Sequence, residues 1–461
     1  MSNITTPQTH ISYADCLKIL WDHGHELHGR KFDLETIRAL LGALGHPERR
    51  YATAIVAGTN GKGSTSAMLA AILARAGYRT GLYTSPHFVR VNERMRVGDS
   101  EISDEDFAAA FNEVHRRVGE LVSAQVLPYP PSFFEYLTAT AFLHFARSAV
   151  DFAVLEVGMG GRLDATNVTD ASIAIITNVD LDHQEYLGRT HREIAGEKAG
   201  IIKPGKPVVS GCEHPVVREV IRNRCQEFGA ELIETGGLRG ASGLFHLDGR
   251  CSFDLELGEW KISGINLQMA GRFQVKNALA AATAAWRLAG KGFRVTPDSI
   301  REGLEAAAWP GRLEAILNRP LVLLDGAHNP AAAREVAQFV QQHLVGRTLR
   351  LVYATMRDKD IGEMSRIFFP LAETVYLTHP EVDRAASPEA ILASALAEPR
   401  QTIIEPEPAR ALERAIDRSS PGDVVLVTGS LFLVGAVKKA ILEGRIVPGK
   451  LHPPEVLSEY C

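Results

Sequence analysis

The sequence has few of the features that would take it out of the class of ordinary soluble globular chains. Cysteine is sparse: Cys16, Cys212, Cys225, Cys251 and Cys461 are an odd, scattered five among 461 residues, with no C-x-x-C pair. That spacing excludes a disulfide framework and a cysteine-based zinc site, and suits reduced thiols. No run of about 18 uncharged apolar residues occurs, which argues against a membrane-spanning helix. The opening MSNITTPQTH lacks a basic stretch followed by an apolar one, so no secretory signal is expected and the chain reads as cytoplasmic. The formal net charge of −5 supplies no basic field, which argues against nucleic acid as a partner. Low-complexity tracts and solenoid-type repeats are missing as well.

What is present is an even mixture, 45% hydrophobic and 23% charged, in a chain too long for one hydrophobic core. From residue 51 onward, short apolar runs of strand type alternate with helix-type stretches. ATAIVAG is followed by STSAMLAAILARAGY, with Ser64 and Thr65 suited to a first helical turn and Gly77 to a helix end. RTGLYTS, DFAVLEVG and ASIAIITNVD read as further strands. This rhythm predicts an α/β fold with a doubly wound, mostly parallel sheet. Glycine-rich, alternating residues 236–270 predict an antiparallel hairpin region laid against that domain. Trp309-Pro310-Gly311 looks like a joint, and the strand–helix rhythm then resumes. The expected units are a P-loop domain over residues 1–308, including the hairpin region, and a smaller Rossmann-like α/β domain over 309–461.

The polar clusters fall at predicted strand ends, where ligands bind in such sheets. The loop AGTNGKGST departs from the common phosphate-binding G-x-x-x-x-G-K-[ST]. Its first glycine position is Val56, and Gly63 rather than Ser or Thr follows Lys62. Glycines admit backbone N–H groups to phosphate oxygens, the helix N-terminus adds partial positive charge, Lys62 adds a full one, and Ser64 or Thr65 offers a hydroxyl to Mg²⁺. The bland alternative is a glycine-rich turn with a solvated lysine; a strand before and a helix after favour nucleotide. Glu156, at the end of an apolar strand, reads as a magnesium ligand or as a charged loop residue. Asp180, Asp182 and His183 sit at another strand end, and a lone histidine is more often structural. Ser85 in TSPH marks a turn, Lys198 in GEKAGIIKPG a surface helix. Asp325 closes LVLLD, and a cleft-facing charge or a helix cap would each explain it.

In order along the chain come LLGALGHPERRYATAIVAGTNGKGST, YTSPHFVRVNERM, SFFEYLTATAF, LEVGMGGRLDATN, ITNVDLDHQEYLG, EKAGIIKPG, GRFQVKNALAA, WPGRLE, LDGAHNP, RDKD and VTGSLFLVG. Together they resemble the Mur ligase superfamily of ATP-dependent amide ligases, and within it the folylpolyglutamate synthases, including bifunctional dihydrofolate synthases. Cell-wall ligases of the superfamily place Thr or Ser directly after the loop lysine; the folate branch inserts a glycine, as Gly63 does. The resemblance implies that Gly58, Thr59, Asn60, Gly61, Lys62, Gly63, Ser64 and Thr65 hold ATP, with Asn277, Arg312 and Asp325 as further nucleotide contacts. It implies Ser85, Glu156, His183 and a carbamylated Lys198 as ligands of two Mg²⁺ ions. Ser132, Phe133, Phe134 and Glu135, with Arg162, Leu163 and Asp164, match pterin-binding positions, though Phe133 and Phe134 are equally readable as core. Lys62, Lys198 and, in support, His328 would be catalytic.

The implied reaction joins L-glutamate to dihydropteroate, to a reduced folate such as tetrahydrofolate, or to both. A substrate carboxylate attacks the ATP γ-phosphate, and the glutamate amine then displaces phosphate from the acyl phosphate. The resemblance also implies a monomer. Two rival readings fit the sequence less well. A cell-wall ligase would carry a uridine-nucleotide domain before the loop, where only about 55 residues stand here, against the roughly 100 typical of a domain. A signalling GTPase would need N-K-x-D, and TNVD lacks the lysine.

Overall fold

The computed structural model describes residues 11–22, 33–238, 240–242 and 250–446. Cys461 and residues 239 and 243–249 of the hairpin region lie outside them. The four described cysteines are buried, and no disulfide joins them.

The first sheet has eight strands: β1 (Ala52–Ala57), β2 (Thr80–Tyr83), β3 (Met95–Val97), β4 (Ser100–Glu101), β5 (Phe152–Glu156), β6 (Ile173–Ile176), β7 (Val208–Ser210) and β8 (Leu232–Glu234), in the order β4-β3-β2-β5-β1-β6-β7-β8. Only β2–β3 and β3–β4 pair antiparallel; the rest are parallel. Strand β1 shows why. Its residues alternate between two cores, Ala54 and Val56 on one face, Ile55 and Ala57 on the other, so helices must cover both sides. The chain leaves β1 for one side of the sheet and, after β5, crosses to β6 on the other. The loops after β1, β5 and β6 therefore meet at a topological switch point, the usual ligand crevice of such sheets.

On one face the helix Lys62–Arg75 packs between the helices Arg272–Ala289 and Pro297–Ala306. Over these lies a three-stranded antiparallel sheet of β9 (Ala241–Ser242), β10 (Ser252–Leu257) and β11 (Trp260–Asn266). The alternation of buried Phe253, Leu255 and Leu257 with outward Asp254 and Glu256 is the pattern of a half-buried strand. Beyond Trp309 comes a six-stranded sheet: β12 (Glu314–Asn318), β13 (Leu321–Leu324), β14 (Leu349–Tyr353), β15 (Thr374–Leu377), β16 (Thr402–Ile404) and β17 (Val424–Thr428), in the order β12-β13-β17-β14-β15-β16. Only the β12–β13 pairing is antiparallel. No described helix is long and apolar enough to cross a membrane.

One contact fixes how closely the first layer packs. A methyl group on Gly303 would fall 2.4 Å from Ile72 Cα and 2.6 Å from Ile72 N, so the two helix backbones nearly touch. Gly303→Ala is expected to cost about 1–3 kcal/mol, as overpacking does. Chemical denaturation of the variant against the parent checks this; equal stability would mean the helices are not held at this spacing.

Candidate active site

The loop Gly58–Gly61 caps β1, and Gly61 takes the left-handed conformation (φ 82°) that starts the helix Lys62–Arg75. A side chain at Gly61 would also meet Asn277 Oδ1 at 2.3 Å, so Asn277 rests directly on the loop. Behind the loop, Ser64 and Thr65 are 1% and 0% exposed, and their hydroxyls have no hydrogen-bond partner. A buried hydroxyl left unpaired is costly. Two of them in the first turn of a glycine-loop helix suit a ligand that brings phosphate oxygens or a hydrated cation.

Two lysines converge on one carbonyl. Lys62 Nζ donates to the Gly58 and Thr59 carbonyls at 3.1 and 3.2 Å, and Lys198 Nζ donates to the same Gly58 carbonyl at 2.9 Å. Lys198, on the helix His191–Ala199, is buried rather than the surface residue its helix suggested. Burial, and then the Lys62 charge, push its ammonium down to about 7. Burial also lowers Lys62, against the pull of Glu156 and Asp182. Glu156 is the last residue of β5 and is buried, not a loop residue. Burial raises its pKa, opposed by Lys62, and its Oε2 accepts the Ser85 N–H at 3.1 Å.

These groups line an inner cavity of about 320 Å³ between the two large sheets. Its wall includes Gly58–Gly63, Ser85, Ser132, Phe134, Glu135, Glu156, Arg162, Leu163, Asp164, His183, Lys198, Arg312 and His328. Ser132 and Glu135 also form a capping box for the helix Phe133–Arg147. Phe134 lies where a side chain on Gly158 would meet its ring at 2.6 Å. Arg162 pairs with Glu197 at 2.8 Å, and Asp164 accepts from Met159 N and Thr166 N, each at 3.0 Å. Five expected contacts are not in its wall: Ser64 and Thr65 lie behind the loop, Asn277 rests on the loop, and Phe133 and Asp325 stand apart. Phe133 is 1% exposed, beneath Trp21, and reaches an outer cavity of about 940 Å³ instead. Asp325 does not line the inner cavity: it accepts from Leu313 N at 2.9 Å and Ala327 N at 2.8 Å, which steadies the backbone next to Arg312. Asn329, not Asp325, caps the following helix.

The sequence placed Asp182 at a strand end and Asn329 at the opening of a helix, with no role for either, and marked Lys359 only as part of RDKD. Asp182 is the hub between the sheets. Lys359 Nζ reaches its Oδ1 at 2.6 Å, Asn329 Nδ2 its Oδ2 at 3.1 Å, and His328 Nε2 lies 3.5 Å from Oδ2. Asn329 also exchanges hydrogen bonds with Asn60 of the loop, at 3.0 and 3.2 Å. Burial raises the Asp182 pKa, but the His328 hydrogen bond and the charges of His328, His183 and Lys359 hold it well below the usual carboxylate range. His183 sits in a left-handed conformation (φ 49°), a conformation found at functional sites. The sequence signals for this hub were scattered over three motifs, Asp182 in ITNVDLDHQEYLG, His328 and Asn329 in LDGAHNP, and Lys359 in RDKD.

A glycine-loop helix at the switch point of one sheet, closed by an arginine and a histidine from a second, defines a nucleotide-using enzyme of the ligase type. Residues 56–285 match the Mur ligase middle domain, and residues 311–431 the Mur ligase, glutamate ligase domain. The chain is 33% identical to the dihydrofolate synthase/folylpolyglutamate synthase of Bacillus subtilis, over 91% of this chain and 97% of that one. It is 35% identical to the folylpolyglutamate synthase of Lacticaseibacillus casei, over 90% and 95% respectively. The solved structure of Escherichia coli FolC in complex with DHPP and ADP superposes with a TM-score of 0.83 at 31% identity, covering 94% of this chain and 99% of that one. The Yersinia pestis bifunctional folylpolyglutamate synthase/dihydrofolate synthase complexed with AMPPNP and Mn ion gives 0.79 at 29%, covering 95% and 100%. The chain belongs to the folylpolyglutamate/dihydrofolate synthase family of Mur ligases.

His183, which burial lowers to about 4, makes one contribution to the pH response of the metal-free protein. Between its unfolded value near 6.5 and 4, the unfolded chain binds the proton and the folded one does not. Stability therefore falls as pH drops through that window. His183 is expected to contribute a loss of about 1–2 kcal/mol between pH 7 and pH 5, allowing for the ring's partial exposure. His183→Gln should flatten that slope in denaturant titrations; an unchanged slope would remove His183 as its source.

Proposed function

We propose that this protein joins L-glutamate, through its amine, to the carboxylate of a pterin-containing substrate, either dihydropteroate or a reduced folate such as tetrahydrofolate, with cleavage of ATP to ADP and phosphate. The observation that carries the reading is the convergence of Lys62, Lys198, Glu156 and Arg312 on one cavity between two sheets. A carboxylate approaching a polyphosphate sets anion against anion, and buried cations lower that barrier.

In this reading Gly58–Thr65, with Asn277 and Arg312, hold ATP, and Asp325 acts by holding the Arg312 backbone. A divalent ion neutralises phosphate charge. Ser85, Glu156, His183 and Lys198 would hold Mg²⁺, two ions in the full reading. Among the described residues no group of three or more His, Cys, Asp and Glu side chains could hold a metal alone. Hydroxyl, phosphate and carbamate oxygens would thus complete the shells. Carbamylation of Lys198 fits this need: CO₂ adds only to a neutral amine, and an amine lowered to about 7 is substantially neutral at physiological pH. The carbamate is then an anionic oxygen ligand in place of a cation that repels metal. Phe134, Ser132, Glu135, Arg162, Leu163 and Asp164 would face the pterin, and the outer cavity, with Arg357, Lys359 and Arg384 in its wall, would admit glutamate. His328, reaching both cavities, would orient the incoming amine. The units are taken as residues 1–308 and 309–461, and water is excluded from the acyl phosphate where they close.

The test is phosphate release from ATP with Mg²⁺ and glutamate, offered dihydropteroate in one series and tetrahydrofolate in another. Release in both means a bifunctional enzyme, release with tetrahydrofolate alone a dedicated polyglutamate synthase, and release in neither defeats the proposal. Lys62→Ala should lower turnover at least 100-fold, as loss of a transition-state cation does, with the fold intact by circular dichroism. Lys198→Ala should fall comparably and recover in part with added short carboxylic acids. Full activity without them would sink the carbamate.

A further inference from the structure

The glycine after Lys62 has a structural counterpart outside the loop. A Cβ on Gly63 would meet Trp309 Nε1 at 2.7 Å, Cε2 at 3.0 Å and Cζ2 at 3.1 Å. All three atoms belong to the rigid indole, so no flexible side-chain end can swing aside. Trp309 is half-buried and packs against the core that contains the loop helix. Its own approach is constrained, because six residues earlier Gly303 touches the Ile72 backbone of that same helix. The strip 303–309 therefore runs along the helix Lys62–Arg75 toward its N-terminus. After Trp309 the chain is stiff: Pro310 is followed by Gly311 (φ 66°), where a side chain would meet the Phe88 ring at 2.5 Å. The next residue is Arg312, in the wall of the inner cavity.

We propose that Trp309 is a positioning residue for the nucleotide. Its indole edge occupies the place of a side chain at position 63, and so ties the phosphate loop to the segment that delivers Arg312. The glycine that breaks the common loop spelling is then a steric consequence of the joint between the sheets. Ser or Thr after Lys62 is excluded because Trp309 stands there. This inference rests on the nucleotide reading of the loop given above.

The experiment is a suppression test in the full-length chain with Gly63→Ala, Trp309→Leu, Trp309→Phe, the two double variants that combine Gly63→Ala with each Trp309 change, and, as a control, Lys62→Ala with and without Trp309→Leu. The readouts are the dissociation constant of a fluorescent ADP analogue, the melting temperature, and KM for ATP against kcat in phosphate release. Gly63→Ala is expected to weaken nucleotide binding at least tenfold. Gly63→Ala with Trp309→Leu should bind within threefold of Trp309→Leu alone, whereas Trp309→Leu should give Lys62→Ala no recovery. Trp309→Phe, which keeps a ring but loses the indole edge, should suppress in part. Trp309→Leu alone should lower kcat as well as raise KM, since Arg312 is displaced together with the loop. A Gly63→Ala protein that binds normally, or a double variant no better than Gly63→Ala, overturns the proposal. If Gly63→Ala does not fold, a folded double variant supports it and an unfolded one overturns it. If the unmodified protein binds no nucleotide, the nucleotide reading fails on its own, and recovery of the Gly63→Ala melting temperature by Trp309→Leu still decides the steric claim.

Discussion

Two buried amines share one backbone oxygen, and much of the site follows from that. Lys62 and Lys198 both donate to the Gly58 carbonyl, one from the residue that opens a helix and the other from a helix 136 residues on in the chain. Their mutual repulsion in a water-poor cavity is severe unless anionic groups stand close. Glu156 and Asp182 answer it, each from a loop or strand end on a different side of β1. The switch point of the sheet is what allows this, because only there do the loops after β1, β5 and β6 converge. The arrangement is therefore hungry for anions, and a polyphosphate with its metal satisfies it better than protein groups alone.

The second sheet completes the site through Asp182 rather than through a broad apolar face. Lys359 and Asn329 seize its two oxygens, and His328 stands by it. A buried carboxylate with partners on a different body makes closure conditional: parting the sheets leaves Asp182 and Lys359 as uncompensated charges until water enters. Asn60 ties the same junction to the phosphate loop. Closure, the loop and the histidine are thus parts of one polar network, and a change at any of them should be felt at the others.

The strand–helix rhythm was legible in the sequence because each buried parallel strand is a short apolar run and many of the helices have an amphipathic period. The loop was legible because its glycines and lysine are adjacent in the chain. Other parts were not. Lys198 lies on a short helix with no clear apolar face, so nothing local announces that it is buried. Asp182 looks like its neighbour Asp180 until residues 328, 329 and 359 are brought to it. Phe133 and Phe134 are adjacent and alike, yet the turn of the helix sends one toward Trp21 and the other toward Gly158. Asp325 reads as a charge at a strand end, and only the fold shows that it holds backbone. In each case the deciding partner is distant in the chain, which local patterning cannot report.

The two lysines also show how one cavity gives like residues unlike chemistry. Both are lowered by burial, but their neighbours act in opposite directions. At Lys62 the next influence is the Glu156 carboxylate, which favours the cation. At Lys198 it is Lys62 itself, which disfavours a second cation and leaves the amine titrating near 7. The first lysine is thereby favoured as a cation, and the second is left closer to a neutral amine, the form that the proposed carbamylation requires. Environments that push paired titratable groups apart are the means by which a site assigns separate roles at one pH. Glu156 contributes to this division: its carboxylate favours the Lys62 cation, whose charge adds to burial in lowering Lys198.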